Sequence, residues 1–115
     1  MINIYGIKTC SSVQKAVKFC KENDIEYNFI DFRQTPIGED KVNYFASKVD
    51  INLLCNSRGK KYKELNLKEL NLDAEGKIQW CIKDNILIKR PVIEYGEDKV
   101  LIGFNQALYE EELLH

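Results

Sequence analysis

Histidine is almost missing from this 115-residue chain, its single copy being His115. Neither a Cys/His zinc centre nor a Cys–His catalytic pair is easily built from that supply, and no metal site is expected. The four cysteines, at positions 10, 20, 55 and 81, contain no C-x-x-C pair, which removes the simplest local dithiol switch. No apolar stretch nears the ~20 residues of a membrane-crossing helix. The start of the chain has no basic segment followed by a hydrophobic run. Charge of one sign is not in excess: 17 basic and 18 acidic residues intersperse to a formal net charge of -1. The electrostatic footprint of a nucleic-acid or anionic-membrane binder is therefore lacking. These absences lead to the expectation of a cytoplasmic monomer with no membrane partner and no direct nucleic-acid contact, whose thiols stay free in a reducing compartment.

What the sequence does contain is a cysteine at a favoured place. Ile2-Asn3-Ile4-Tyr5 reads as a short strand that stops at Gly6, and a short polar loop then delivers Cys10 to the start of a helix. Helix starts expose unpaired backbone N–H groups and the positive end of the macrodipole, and both favour a thiolate, the nucleophilic form of cysteine. With histidine lacking, only backbone amides, lysine and arginine remain as activators. Ser11 and Gln14 have the spacing of a capping box. Val13, Ala16, Val17 and Cys20 follow at i, i+3, i+4 and i+7. Glu26–Phe32 reads as a second strand, which makes a right-handed βαβ unit with parallel strands.

Thr35-Pro36-Ile37-Gly38 breaks the pattern. Between about residues 37 and 88 the periodicity is helical: a helix over Glu39–Lys48, a turn at Ile51–Cys55, helices near Lys61–Leu65 and Lys77–Asp84, and a helical turn at Leu67–Leu70. Arg90–Tyr95 and Lys99–Ile102 read as a hairpin around Gly96-Glu97-Asp98. Asn105 caps a last helix running to about Leu114. The predicted fold is α/β and thioredoxin-like: βαβ, a helical insertion, then ββα on a four-stranded mixed sheet, in a single domain over residues 1–115.

Four segments carry a further signal. Cys10-Ser11-Ser12, Arg58-Gly59-Lys60-Lys61-Tyr62, Ile88-Lys89-Arg90-Pro91 and Ile102-Gly103-Phe104-Asn105 occur in this order. Together they resemble the arsenate reductase (ArsC)-like family, its Spx and YffB branches included, over essentially the whole chain. The resemblance implies a thioredoxin-like fold with a helical insertion. It also implies that Cys10 is the nucleophile, that Arg58 and Arg90 hold an oxyanion, and that Pro91 is a cis-proline opposite the cysteine. Lys8, Ser11 and Ser12 flank Cys10 and join Pro91 as candidate substrate-binding residues. Guanidinium groups bind tetrahedral oxyanions bidentately and favour a nearby thiolate, so this chemistry is coherent from the residue types alone. Two departures stand out. Gly103-Phe104 occupies the place where glutaredoxin-coupled arsenate reductases carry a further arginine, and resembles the Spx and YffB branches instead. Val13 occupies the fourth position of the C-x-x-C that Spx regulators commonly carry.

The expected function is a thiol-dependent oxidoreductase acting on a small oxyanion or a disulfide-type substrate. It would need no bound cofactor, with glutathione, glutaredoxin or thioredoxin as electron donor. Two alternatives belong to other classes: an Spx-like regulator that binds the RNA polymerase α subunit, and a non-catalytic binder of glutathione or another small thiol. Plainer readings stand beside each residue: Cys10 as a structural thiol, Arg58 and Arg90 as surface or ion-paired side chains, Lys8 as a solvated one. Cys20 and Cys81 lie on apolar helix stripes and read as packing, which leaves Cys55 as the candidate resolving thiol. Lys60–Lys68 reads as an exposed face, since glutamates interleave with its lysines.

Overall fold

The computed structural model describes residues 1–114. In chain order the elements are β1 (Ile2–Gly6), α1 (Ser11–Glu22), β2 (Tyr27–Asp31), α2 (Glu39–Lys48), α3 (Ile51–Leu54), α4 (Lys60–Glu64), α5 (Ala74–Lys83), β3 (Val92–Tyr95), β4 (Lys99–Ile102) and α6 (Gln106–Leu113). Short 3-10 turns lie at Leu67–Leu70 and Asn85–Leu87. The chain divides into two compact units, Met1–Thr35 with the segment from Arg90 onward, and Pro36–Lys89.

The first unit is built on a four-stranded sheet in the order β2-β1-β3-β4. β1 runs parallel to β2, whereas β1/β3 and β3/β4 are antiparallel. This is the mixed, thioredoxin-like sheet that the element order implied. Alternation along β1 sorts its side chains by face. Ile2 and Ile4 enter a core with Ala16, Phe19, Cys20, Ile93, Leu101 and Tyr109. On the opposite face the Glu94 carboxylate accepts hydrogen bonds from Asn3 Nδ2 at 3.0 Å and from the Tyr5 hydroxyl at 2.5 Å. Tyr109 knits the core together. Its ring meets Phe19 and Phe104 edge-on, with centroids 5.5 and 5.0 Å away, and its hydroxyl donates to the Gly103 carbonyl at 2.6 Å.

Two strand limits differ from expectation. β2 is shorter by a residue at each end than Glu26–Phe32, and β3 starts at Val92 rather than Arg90. Pro91 has no N–H to offer a ladder, so pairing begins after it. Gly6 ends β1 because the first helix packs directly over it. A Cβ there would stand 2.5 Å from Val13 Cγ2, and a β-branched helical side chain has little freedom to retreat.

Burial pushes the Cys20 thiol up from 9.0 to about 11. A folded-state value above the unfolded one means that the neutral thiol supports the fold. That support is complete below about pH 9 and is lost as pH climbs through about 11, a total of about 2–3 kcal/mol. In urea titrations across that window, stability of the native protein should fall more steeply than that of Cys20→Ala, which lacks the titrating group. Parallel curves would contradict the assignment.

The second unit is helical apart from an isolated bridge between Cys55 and Ile88. Val42, Phe45, Leu54, Tyr62, Leu67, Leu87 and Ile88 are buried in it. Aspartates start three of its elements: Asp50 caps α3 through Asn52 N, Asp73 caps α5 through Gly76 N, and Asp84 caps the second 3-10 turn through Ile86 N. The Asp73 cap explains why α5 begins at Ala74 and not at Lys77, where apolar periodicity alone had placed it. Buried Asn85 pins the start of the unit to its end. Its Oδ1 accepts from Ile37 N at 2.8 Å, and its Nδ2 donates to the Ile37 and Cys81 carbonyls at 3.2 and 2.9 Å.

Candidate functional site

Cys10 occupies the N-cap of α1, with φ -78° and ψ 124°. Its N–H donates to the Ile7 carbonyl at 3.2 Å, and its carbonyl accepts from Gln14 N at 3.0 Å. N-cap side chains ordinarily accept from the amides of the first turn. Here a half-buried thiol holds that place, no side-chain hydrogen bond caps the turn, and no acidic residue lies in it. The helix therefore offers its unpaired amides and positive end to the sulfur, with no nearby carboxylate of its own to oppose a negative charge.

The expected capping box does not form. The N-cap is Cys10 and not Ser11, so Gln14 falls one position too late for the reciprocal bond. Its Nε2 instead reaches back to the Lys8 carbonyl at 3.0 Å and ties the loop to the helix. The loop is held from the other side by Asp31, buried at the end of β2 and in register with Gly6. Asp31 Oδ2 accepts from Lys8 N at 3.3 Å and Oδ1 from Arg33 N at 2.8 Å, while Phe32 N donates to the Gly6 carbonyl at 2.8 Å. Sequence reasoning missed Asp31 as a positioning residue. The only signal was a carboxylate ending a strand, and its meaning depends on the β1/β2 register.

The β1/β3 register brings a second segment to this edge of the sheet. Tyr5 pairs with Val92 in antiparallel fashion, so the residues just before Val92 lie at the end where β1 releases the Cys10 loop. Those residues are Arg90, half-buried, and Pro91, fully buried, joined by a cis peptide bond. The Pro91 carbonyl accepts from Gly103 N at 2.7 Å. Gly103 has φ +79°, in the left-handed region that favours glycine, and Phe104 packs against Tyr109. The place where arginine was expected in a reductase thus serves a turn and the core.

Of the remaining candidates, Lys8 and Ser11 are exposed and Ser12 is half-buried, all flanking Cys10 in the first unit. Arg58 belongs to the second unit, exposed on the loop between α3 and α4. Cys20, Cys55 and Cys81 are all buried. Among the described residues no cluster of three or more His, Cys, Asp or Glu side chains could hold a metal ion. Among the described residues no helix is long and apolar enough to cross a membrane.

The model of the ArsC family matches residues 5–112. Protein YusI of Bacillus subtilis, itself uncharacterized, is 32% identical over 114 residues, covering 96% of each chain. The global transcriptional regulator Spx of Listeria innocua is 23% identical over 108 residues, 92% of this chain and 82% of the regulator. Among solved structures, a YffB protein superposes with a TM-score of 0.91 at 26% identity, covering 98% of this chain and 99% of that one. An arsenate reductase (ArsC) related protein from Brucella melitensis superposes with a TM-score of 0.76 at 28% identity, covering 99% and 95%.

Proposed function

This chain belongs to the ArsC family, and we propose that it is a thiol-dependent oxidoreductase in which Cys10 is the nucleophile. The observation that carries the reading is the placement of a half-buried thiol at an otherwise uncapped helix start, at the sheet edge that also bears Arg90 and cis-Pro91. Cys10 sulfur bonds to the central atom of a small oxyanion as one hydroxyl of that atom takes up a proton and leaves as water. With a disulfide it bonds to one sulfur and expels the other as a thiolate. Arg90 steadies the anion, with Lys8, Ser11 and Ser12 beside it and Pro91 buried behind. A donor thiol from glutathione, glutaredoxin or thioredoxin then bonds to the Cys10 sulfur and expels the oxyanion reduced by two electrons, and a second donor thiol bonds to the first, leaving as a disulfide and freeing the Cys10 thiolate; the adduct from a disulfide substrate needs one such exchange. Arg58 is the second anion-binding candidate, on the strength of the Arg-Gly-x-x-Tyr segment.

The deciding assay measures reduction of arsenate and of a small disulfide, with glutathione plus glutaredoxin and with thioredoxin as donors. Turnover is expected with at least one pair, abolished in Cys10→Ser and reduced about 100-fold in Arg90→Ala. No turnover with any pair would overturn the enzyme reading. A regulator that binds the RNA polymerase α subunit is the second reading. The Spx likeness over 92% of the chain favours it, as does glycine-phenylalanine at positions 103 and 104. Its test is retention on the host's α subunit that persists in Cys10→Ser.

A further inference from the structure

A groove runs along α1 from the turn that follows Cys10. Positions three, four, seven, eight and eleven residues after Cys10 share one side of the helix, and they hold Val13, Gln14, Val17, Lys18 and Lys21. All five line a single groove of about 440 Å³, within the range of small-molecule sites. Phe29 of β2 lines it as well, as does Lys8, two residues ahead of the thiol. The groove lies wholly within the first unit.

Its near end is tied to the loop that carries the thiol. Gln14 N donates to the Cys10 carbonyl and Gln14 Nε2 to the Lys8 carbonyl, each at 3.0 Å. Neighbours one helical turn apart stand about 5–6 Å from each other, so the groove begins that far from Cys10, which is itself only half-buried. The lining beyond is apolar and fixed: Val13 is buried, and half-buried Val17 and Phe29 pack against the sheet core. The far end is cationic. Exposed Lys18 and Lys21 stand there with one carboxylate, that of Glu22. At a rise of about 1.5 Å per residue they lie about 12 and 16 Å along the axis from Cys10, and lysine stems rest on apolar surface while the ammonium stays in water.

We propose that this groove holds the rest of the molecule that Cys10 attacks, an inference that rests on Cys10 being the nucleophile. That molecule is an oxidised thiol, a mixed disulfide whose reacting sulfur carries an aliphatic arm ending in a carboxylate. The arm lies on Val13, Val17 and Phe29, which takes its methylene groups and their side chains out of water. The carboxylate meets Lys18 and Lys21 at the far end. The Cys10 thiolate bonds to the sulfur that bears the arm, the S–S bond breaks, and the other sulfur leaves as a thiolate that takes up a proton. Reacting sulfur, apolar middle and terminal charge thus follow the order of the groove from Cys10 outward.

The test follows release of pyridinethione by the full chain from the pyridyl disulfides of ω-mercaptooctanoate, octanethiol and β-mercaptopropionate, with the adduct located by peptide mapping. The long carboxylate should modify Cys10 about 10-fold faster than either the uncharged or the short probe. Lys18→Gln combined with Lys21→Gln should lower it to the octanethiol rate, and high salt should act in the same direction. Val17→Gln should lower it to the mercaptopropionate rate. Iodoacetamide, too small to reach along the groove, should label Cys10 at the native rate in both variants. Lys18 and Lys21 are exposed, so their variant decides the matter should Val17→Gln fail to fold. A fast Cys10 that treats the three disulfides alike, or a preference that survives the lysine changes, would overturn this proposal alone. Iodoacetamide labelling that does not single out Cys10 would overturn the nucleophile reading and the proposal with it.

Discussion

Iodoacetamide should consume one thiol of the native protein far ahead of the others, and that thiol should be Cys10. Cys20 and Cys81 are 0% exposed and Cys55 is 1% exposed, whereas Cys10 is half-buried at a helix start with no carboxylate in its first turn. A buried thiol meets the reagent only when its surroundings open. An opening that costs about 3 kcal/mol or more holds the reactive fraction to about 1% or less, so Cys10 should react at least about 100-fold faster. Cys55 obeys the same limit, because the residues that cover it must move first. Time-resolved peptide mass mapping reads the four rates separately, and Cys10→Ser should delete the fast phase while leaving the three slow ones. Two or more thiols reacting at similar rates would end the nucleophile assignment.

Tyr109→Ala should be the most damaging single truncation in the first unit, costing about 3–5 kcal/mol. The side chain is 1% exposed, sits edge-on to both Phe19 and Phe104, and closes the Gly103 turn through its hydroxyl. Removing it leaves a cavity among rigid neighbours and an unpaired carbonyl at Gly103. Tyr109→Phe isolates the second effect and should cost about 1–3 kcal/mol, the loss expected when one buried acceptor is left unsatisfied. Urea unfolding checks both, with a shifted midpoint and an unchanged slope as the mark of an altered native state. The two variants should also differ at Phe104. Phe104→Ala should be strongly non-additive with Tyr109→Ala, because the rings share a contact, and nearly additive with Tyr109→Phe, which retains it. Equal losses from the two tyrosine variants would show that the hydroxyl, and not the ring, carries the contribution.

Local grammar decided most of the elements. The α2 limits, the 3-10 turn at Leu67–Leu70, the β4 strand and the Asn105 cap are where short-range patterns placed them. The arrival of Cys10 at a helix start was equally readable, since a strand, a glycine and a polar loop are set by neighbours a few positions apart. Errors fell where two local signals competed. Ser11 resembles a cap, but the chain turns into the helix one residue sooner, and the Asp73 cap outweighed the weak periodicity that delayed the start of α5.

Sequence alone therefore determined the element order and the mixed sheet, and put Cys10 at the start of a helix. Tertiary structure decided which distant groups meet. Only the strand register puts Arg90 and Pro91 at the edge where β1 releases Cys10, and gives Asp31 the loop before it to hold. Only the packing of the second unit joins Cys55 to Cys81, two residues that no motif connects. The reason is physical: a helix or a cap forms from bonds within a few residues, whereas contacts between remote segments depend on which faces are buried together, a choice made by the whole fold.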